Sequence, residues 1–179
     1  MEGFVLMPIN IFKGALQVLV WILIIIGTVL VDQVSKILVA EFLSREESLV
    51  VIKGIFRFTY VENRGAAFGM MDEHRWVFMV LSVVGIAAVF VYLWRFRPQS
   101  KLACVALSFI IGGGIGNMID RVRLGYVIDF IDFYPFPKVW MWIFNAADSF
   151  VCIGAGMLIL YLLMDLIKEI RESKEHKSA

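Results

Sequence analysis

The chain has 179 residues, 60% of them hydrophobic, and a formal net charge of +1. This apolar content exceeds the roughly 45–50% of soluble domains and argues against a soluble globular protein. The small net charge, with no basic run, gives no indication of a nucleic-acid partner. Cys104 and Cys152 lie in apolar runs and the two histidines are far apart, so neither a disulfide framework nor a zinc cluster is indicated.

Four uncharged runs are long enough to cross a membrane, at residues 14–31, 76–94, 102–119 and 149–164. Because a spanning helix needs about 20 predominantly apolar residues, we predict spans over 14–33, 75–95, 102–121 and 142–165. The first run could instead be a secretory signal peptide. It lacks a small-residue cleavage pattern, however, and it continues directly into VDQVSK.

Residues 41–64, between the first two spans, contain the only strand-like stretch that we identify. Residues 49–52 are rich in β-branched side chains, and aromatic residues alternate with other types from Phe56 to Val61. Alternation with a period of two is typical of strands. We therefore predict an all-α membrane protein with four transmembrane helices and a small sheet on the membrane surface after the first helix, in a single domain over 1–170.

Basic residues predict the orientation of the chain. The turn between the second and third spans, RFRPQSK, carries only basic charges, and the tail at 171–179 is rich in lysine. By the positive-inside tendency, both segments and the N-terminus are predicted to be cytoplasmic. The polar tail is also expected to be disordered.

Polar residues collect at one end of the predicted bundle. Because spans alternate in direction, the outer ends of all four share one face, which carries Asp32, Gln33, Ser35, Lys36, Glu62, Asn63, Arg64, Asn117, Asp120, Arg121, Asn145 and Asp148. The helix rise places Asn117 roughly 24 Å above Lys101 and Asp148 roughly 25 Å above Asp165. Both therefore lie just inside one boundary of a hydrocarbon core about 30 Å thick.

Aspartates in these apolar surroundings are the candidate catalytic groups. Carboxylates are rarely buried unless they are paired, and inside a membrane segment they suggest a functional site. Two neighbouring carboxyl groups share one proton, so the neutral group can donate to a substrate carbonyl while the charged group activates water. Pro135 and Pro137 would let the chain turn back and bring Asp129 against Asp148.

The residues alone leave the partner of Asp148 open among Asp120, Asp129 and Asp132. Asp120 is expected to have a structural role, as a helix cap or as the ion-pair partner of Arg121. Two other functions also remain open. A proton- or cation-coupled transporter would spread its polar groups through the membrane and carry an inverted repeat, and a membrane scaffold would leave the aspartates and asparagines unexplained.

Five motifs together resemble the lipoprotein signal peptidases (signal peptidase II), which are membrane aspartic proteases of bacteria. They are VDQVSK at 31–36, VENRGAAFG at 61–69, GGGIGNMIDRV at 112–122, YVIDF at 126–130 and FNAAD at 144–148. The resemblance implies a four-helix enzyme of the inner membrane with cytoplasmic termini, an extracytoplasmic β-cradle and a catalytic centre near the outer leaflet. The chain departs from the family pattern at Gly114, where alanine is usual, and has Arg64 at a variable position.

The resemblance also implies residue roles. Asp129 and Asp148 correspond to the catalytic pair, and the substrate-binding or supporting positions fall on Asp32, Lys36, Asn63, Asn117, Asp120, Arg121 and Asn145. The implied substrate is a diacylglyceryl-modified prolipoprotein, cleaved just before the lipidated cysteine. The enzyme is expected to act as a monomer in contact with membrane lipid, without a metal, an organic cofactor or a nucleic acid.

Overall fold

A computed structural model of the chain describes residues 3–43, 48–65, 75–96, 98, 100–135 and 142–178. Its elements in chain order are α1 (Gly3–Phe42), β1 (Ser48–Ile52), β2 (Phe56–Asn63), α2 (Arg75–Phe96), α3 (Lys101–Arg123), β3 (Val127–Phe133), β4 (Ile143–Phe144) and α4 (Ala146–Ser178). Within the described residues, four helices are long and apolar enough to span a membrane. The predicted four-helix membrane fold with a small sheet after the first helix is thus confirmed.

Two helices extend beyond their predicted spans. Helix α1 continues to Phe42, because residues 34–42 contain neither glycine nor proline. Helix α4 begins at Ala146 and continues to Ser178, so the expectation that the polar tail is disordered is wrong. Opposite charges one helical turn apart favour a helix, as in the ion pair between Lys168 and Glu172 at the start of this tail.

The sheet has four strands, whereas the sequence indicates two strand-like segments, at 49–52 and 56–61. Its four strands lie in the order β1-β2-β3-β4, and each neighbouring pair is antiparallel. Strand β3 pairs along β2, with Val127 opposite Asn63 and Phe133 opposite Phe56. The prediction that residues 41–64 hold the only strand-like stretch is therefore wrong, because the aspartates of VIDFIDF stand three positions apart and break the period-two pattern.

Helix α3 lies at the centre of the bundle. Half of the residues in its apolar span are buried inside the protein, compared with 6–11% in the spans of the other three helices. Glycines permit the close contacts. A Cβ atom at Gly112 would lie 2.7 Å from Cβ of Thr28 in α1, and one at Gly113 would lie 2.5 Å from the carbonyl oxygen of Ala147 in α4. Gly112 and Gly116 stand in a GxxxG spacing, which lets helices approach closely, and a Cβ atom at Gly116 would likewise lie 2.5 Å from Oδ2 of Asp32 in α1.

Apolar side chains fill the end of the bundle near the α2–α3 turn. We call this group the bundle core, and it consists of Trp21, Leu93, Cys104, Leu107 and Ile111. At the other end, the sheet packs onto α1 through a second apolar cluster built on Tyr60, Ile128 and Phe130. The polar groups predicted from the sequence lie between these two clusters.

Candidate active site

Asp129 and Asp148 reach the site from different elements. Asp129 lies in β3, opposite Val61 of β2, and Asp148 lies in the first turn of α4. The short β4 turns the chain back, because Phe144 pairs with Ile131. Pro135 lies in a bend after β3, whereas the predicted contribution of Pro137 falls outside the described residues.

Asn145 joins the two aspartates. Its side-chain amide nitrogen Nδ2 donates to Oδ1 of Asp129 at 2.7 Å, and its backbone N–H donates to Oδ2 of Asp148 at 3.2 Å. Its side-chain oxygen accepts the backbone N–H of Asp148 at 2.9 Å, which is a helix N-cap interaction. Asn145 is fully buried, so these contacts do not compete with water.

Two further asparagines complete the hydrogen bonding of the pair. Asn63 donates its amide to Oδ2 of Asp129 at 2.8 Å, and Asn117 donates its amide to Oδ1 of Asp148 at 2.7 Å. All four carboxylate oxygens therefore accept at least one hydrogen bond. The remaining amide hydrogen of Asn145 is donated to Oδ1 of Asn117 at 3.0 Å, so the amides form one connected network.

The environment of Asp129 favours a protonated carboxyl group. Burial, together with the nearby charge of Asp148, raises the pKa of Asp129 to about 7. Hydrogen bonds from Asn63 and Asn145 and the charge of Lys36 act in the opposite direction, because they favour the carboxylate. Near neutral pH this group can therefore exchange a proton with a reactant.

A buried charged cluster lies directly behind the asparagines. Lys36 Nζ is 2.9 Å from Oδ2 of Asp32 and 2.9 Å from Oδ2 of Asp120, and it also donates to Oδ1 of Asn117 at 3.0 Å. Gln33 donates to both carboxylates, at 3.1 and 3.0 Å. The sequence places Gln33 on the polar face but gives it no role, although it stands inside VDQVSK, the motif that contributes Asp32 and Lys36.

The geometry separates the three aspartates that the sequence left as alternatives. Asp120 pairs with Lys36, so its expected pairing with Arg121 is wrong. Neighbouring side chains on a helix point about 100° apart, so the side chains of Asp120 and Arg121 point in different directions. Asp132 pairs with Arg57 at 2.6 Å, on the strand next to its own. Of the three, only Asp129 shares a hydrogen-bond partner, Asn145, with Asp148.

Arg121 lies beside this network but turns back onto its own helix, where Nη1 donates to the carbonyl oxygen of Asn117 at 3.4 Å. Among the described residues, no group of three or more histidine, cysteine, aspartate or glutamate side chains is arranged to hold a metal ion. The last four residues of VENRGAAFG, at 66–69, lie outside the described part of the chain.

An apolar groove of about 520 Å³ opens next to Asp148. Its lining comes from β3, the segment after it, β4 and the first two turns of α4, and consists of Ile131, Phe133, Pro135, Phe144, Asp148, Ser149 and Cys152. A carboxylate at the edge of an apolar groove can act on a polar bond of a molecule whose apolar groups occupy that groove.

The chain is similar to known proteins along most of its length. Residues 24–164 match the family described as signal peptidase (SPase) II. A lipoprotein signal peptidase of Halothermothrix orenii is 45% identical over 144 residues, covering 80% of this chain and 94% of that protein. One of Caldanaerobacter subterraneus subsp. tengcongensis is 48% identical over 143 residues, covering 80% and 94%.

Solved structures agree with the sequence relatives. A bacterial membrane enzyme determined by the in meso method at 2.3 Å resolution superposes with a TM-score of 0.75 at 33% identity, covering 82% of this chain and 89% of that one. A second, at 1.9 Å resolution, gives a TM-score of 0.73 at 33% identity, covering 82% and 94%.

Proposed function

Because this chain belongs to the signal peptidase II family, a family of peptidases, we propose that it is an aspartic endopeptidase of lipoprotein precursors. It removes the signal peptide from diacylglyceryl-modified prolipoproteins by cleaving just before the lipidated cysteine. The observation that carries the proposal is the convergence of Asp129 and Asp148 on Asn145, with every carboxylate oxygen hydrogen-bonded.

In the proposed reaction, the two carboxyl groups share one proton. The ionised group takes a proton from a water molecule as the water oxygen attacks the carbonyl carbon of the scissile amide, and the protonated group donates to the carbonyl oxygen. The tetrahedral intermediate then collapses. The carboxyl group that took the proton from water donates it to the amide nitrogen, the other carboxylate takes back a hydroxyl proton from the intermediate, and the C–N bond breaks. The products are a carboxylic acid and the free amino group of the lipidated cysteine, and the pair again holds one proton.

The position of the site suits a substrate that stays in the membrane. Asp148 lies in the first turn of a membrane-spanning helix, next to the apolar groove. The acyl chains of a precursor hold its modified cysteine near the headgroup boundary, so its scissile bond lies at a comparable depth. Asn63, Asn117 and Arg121 supply hydrogen bonds to the peptide and the headgroup around the two carboxyl groups. Asn145 instead supports the carboxyl groups, because it is fully buried and donates both of its side-chain amide hydrogens within the network.

The chain is a multi-pass protein of the bacterial inner membrane, and we infer that its termini are cytoplasmic. The short α2–α3 turn carries Arg95, Arg97 and Lys101 without an acidic residue, which favours the cytoplasmic side. The alternating direction of the spans then puts the two aspartates near the extracytoplasmic face, where exported precursors arrive. All groups of the proposed dyad come from one chain, so a monomer suffices.

Cleavage of a lipidated precursor by the purified protein tests this function. A diacylglyceryl-modified prolipoprotein should yield the free signal peptide and a shortened lipoprotein by mass spectrometry. Asp129→Asn and Asp148→Asn should each reduce kcat by at least about 10²–10⁴-fold, because each removes one acid–base group. Asp132→Asn is the matched control, since Asp132 is also a buried carboxylate of β3 but binds Arg57.

Substantial cleavage by either dyad variant, in protein with the wild-type far-UV spectrum, would refute the aspartic mechanism. If the wild-type protein gave no product but moved protons or cations across proteoliposomes, the transporter hypothesis would replace the peptidase. With neither product nor transport, a scaffold would remain.

A further inference from the structure

The residues immediately before the two dyad aspartates are both held by buried carboxylates. Asp120 Oδ2 accepts the backbone N–H of Ile128 at 3.2 Å, one position before Asp129. Asp32 Oδ1 accepts the backbone N–H of Ala147 at 2.9 Å, one position before Asp148. The strand that carries one aspartate and the helix that carries the other are thus each anchored next to the reacting group.

One ammonium group connects the two anchors. Lys36 Nζ lies 2.9 Å from both carboxylates, and the amide of Gln33 bridges the same pair. The exposed fractions are 0% for Asp32, 2% for Lys36 and 3% for Asp120. With so little access to water, the three charged groups keep each other as partners, and their positions relative to one another are fixed.

We propose that Asp32, Lys36 and Asp120 form a spacer that sets the separation between Asp129 and Asp148, a positioning role that rests on the proposed function. The connection is continuous. It runs from the Ile128 N–H through Asp120, Lys36 and Asp32 to the Ala147 N–H, and no hydrogen bond or ion pair along it exceeds 3.2 Å.

A spacer is useful to this pair for a physical reason. Two carboxyl groups that share one proton repel each other whenever both ionise, and the backbone that carries them must resist that repulsion. Acid–base groups also have to stay within hydrogen-bond reach of the same water and carbonyl. A displacement of about 1 Å costs on the order of 10²-fold in rate.

The same ammonium group sets the orientation of one amide of the site. Lys36 donates to Oδ1 of Asn117 at 3.0 Å. Because the oxygen of that amide faces the ammonium, its nitrogen faces Asp148, to which it donates at 2.7 Å. The spacer thus controls both the backbone position of the dyad and one hydrogen bond to it.

Substitutions that change length while keeping charge test the spacer. Asp32→Glu and Asp120→Glu each retain the carboxylate but lengthen one arm by a methylene, so they should displace the backbone at Ala147 or Ile128. We expect kcat for a lipidated precursor to fall by about 10²-fold, with KM nearly unchanged. A peptide with a tetrahedral hydroxyl-bearing carbon in place of the scissile amide should lose affinity by a similar factor, because its hydroxyl must contact both aspartates.

Asp132→Glu is the matched control. It lengthens a different buried carboxylate, which lies in β3, by the same methylene, but this carboxylate binds Arg57 and Thr59 of the neighbouring strand. Its kcat should equal that of the wild type. If Asp32→Glu and Asp120→Glu keep the wild-type kcat, the cluster acts through charge alone and the proposal is wrong. It is equally wrong if they lower the melting temperature while kcat per folded molecule stays constant.

Crystal structures of the variants separate the spacer from the proposed function. In Asp32→Glu, the carboxyl groups of Asp129 and Asp148 should lie farther apart or be rotated, with the rest of the bundle unchanged, whether or not the wild type cleaves a precursor. An undisplaced pair would refute the spacer. Where neither glutamate variant folds, Gln33→Ala decides. It keeps all three charges but removes the amide that bridges Asp32 and Asp120 and also donates to the carbonyl oxygen of Gly116. An undisplaced pair of dyad carboxyl groups with a wild-type kcat in that variant overturns the proposal.

Discussion

The two ends of the helix bundle are held together by different forces. The bundle core consists of apolar side chains, which make contacts without a required direction. The polar end is a network in which Asp129, Asp148, three asparagines and the Asp32–Lys36–Asp120 cluster bind one another through directed hydrogen bonds. We infer that the core determines whether the helices stay together, whereas the polar network determines where two carboxyl groups lie.

After the two aspartates, Asn145 is the residue of the polar network whose substitution should reduce activity most. Asn145→Ala removes the amide donor to Asp129 and Asn117 and the N-cap of α4, so kcat should fall by about 10²–10³-fold and stability by about 1 kcal/mol. Asn145→Ser retains a capping oxygen without the amide. It should restore the melting temperature but not kcat, and recovery of both would assign Asn145 a capping role only.

Lys36→Met should damage stability and activity together. It leaves two buried carboxylates without their ammonium partner, which costs about 3–5 kcal/mol, and it also breaks the spacer. Denaturation in detergent would measure the first effect and precursor cleavage the second. Lys168→Met is the control, because Lys168 pairs with Glu172 on an exposed helix surface, where ion pairs contribute about 0–1 kcal/mol. If both variants lost stability and activity to a similar extent, the buried polar network would not differ from an exposed ion pair, and the distinction drawn between the two ends of the bundle would be wrong.

Leu107→Ala should affect stability alone. Leu107 is 3% exposed in the bundle core, and its truncation leaves a cavity that costs about 2–5 kcal/mol. Helix association in membranes depends on such contacts. Because no hydrogen bond to the dyad changes, kcat per folded molecule should equal that of the wild type. A large loss of kcat would mean that the two ends are coupled.

Asn63→Ala should have the smallest effect, a shift in the pH profile. Asn63 stabilises the charged form of Asp129 by donating to it, so its removal should raise the pKa of Asp129 above about 7. Because the proposed mechanism requires the dyad to keep one proton, activity should then persist to higher pH, and the alkaline limb of the kcat/KM profile should move to higher pH. An alkaline limb that stays in place or moves to lower pH would contradict this role of Asn63. Thr59→Ala is the control, because it removes hydrogen bonds to Asp132 and Ser48 but none to the dyad, and it should leave the limb in place.

The sequence revealed much of this arrangement for identifiable reasons. Long apolar runs locate the four helices, because a span of about 20 residues needs them, and helix direction alone places Asp32, Asn117 and Asp148 at one end. The sequence does not reveal strand β3, because its two aspartates disturb the alternation. It also does not reveal the termini of α1 and α4, because hydropathy marks the apolar part of a helix and not the polar residues that continue it.

By itself, the sequence determined that this is a four-helix membrane protein with a cluster of polar residues at one end, because length, hydropathy and helix direction are local properties. Motif resemblance added the family and the names of the dyad residues. Only the tertiary structure decided which carboxylates meet. It paired Asp132 with Arg57 and Asp120 with Lys36, and it left Asp129 to share Asn145 with Asp148. These partners lie on other elements of the chain, and no local pattern specifies contacts between groups up to 115 positions apart, as between the Asp32 carboxylate and the backbone N–H of Ala147.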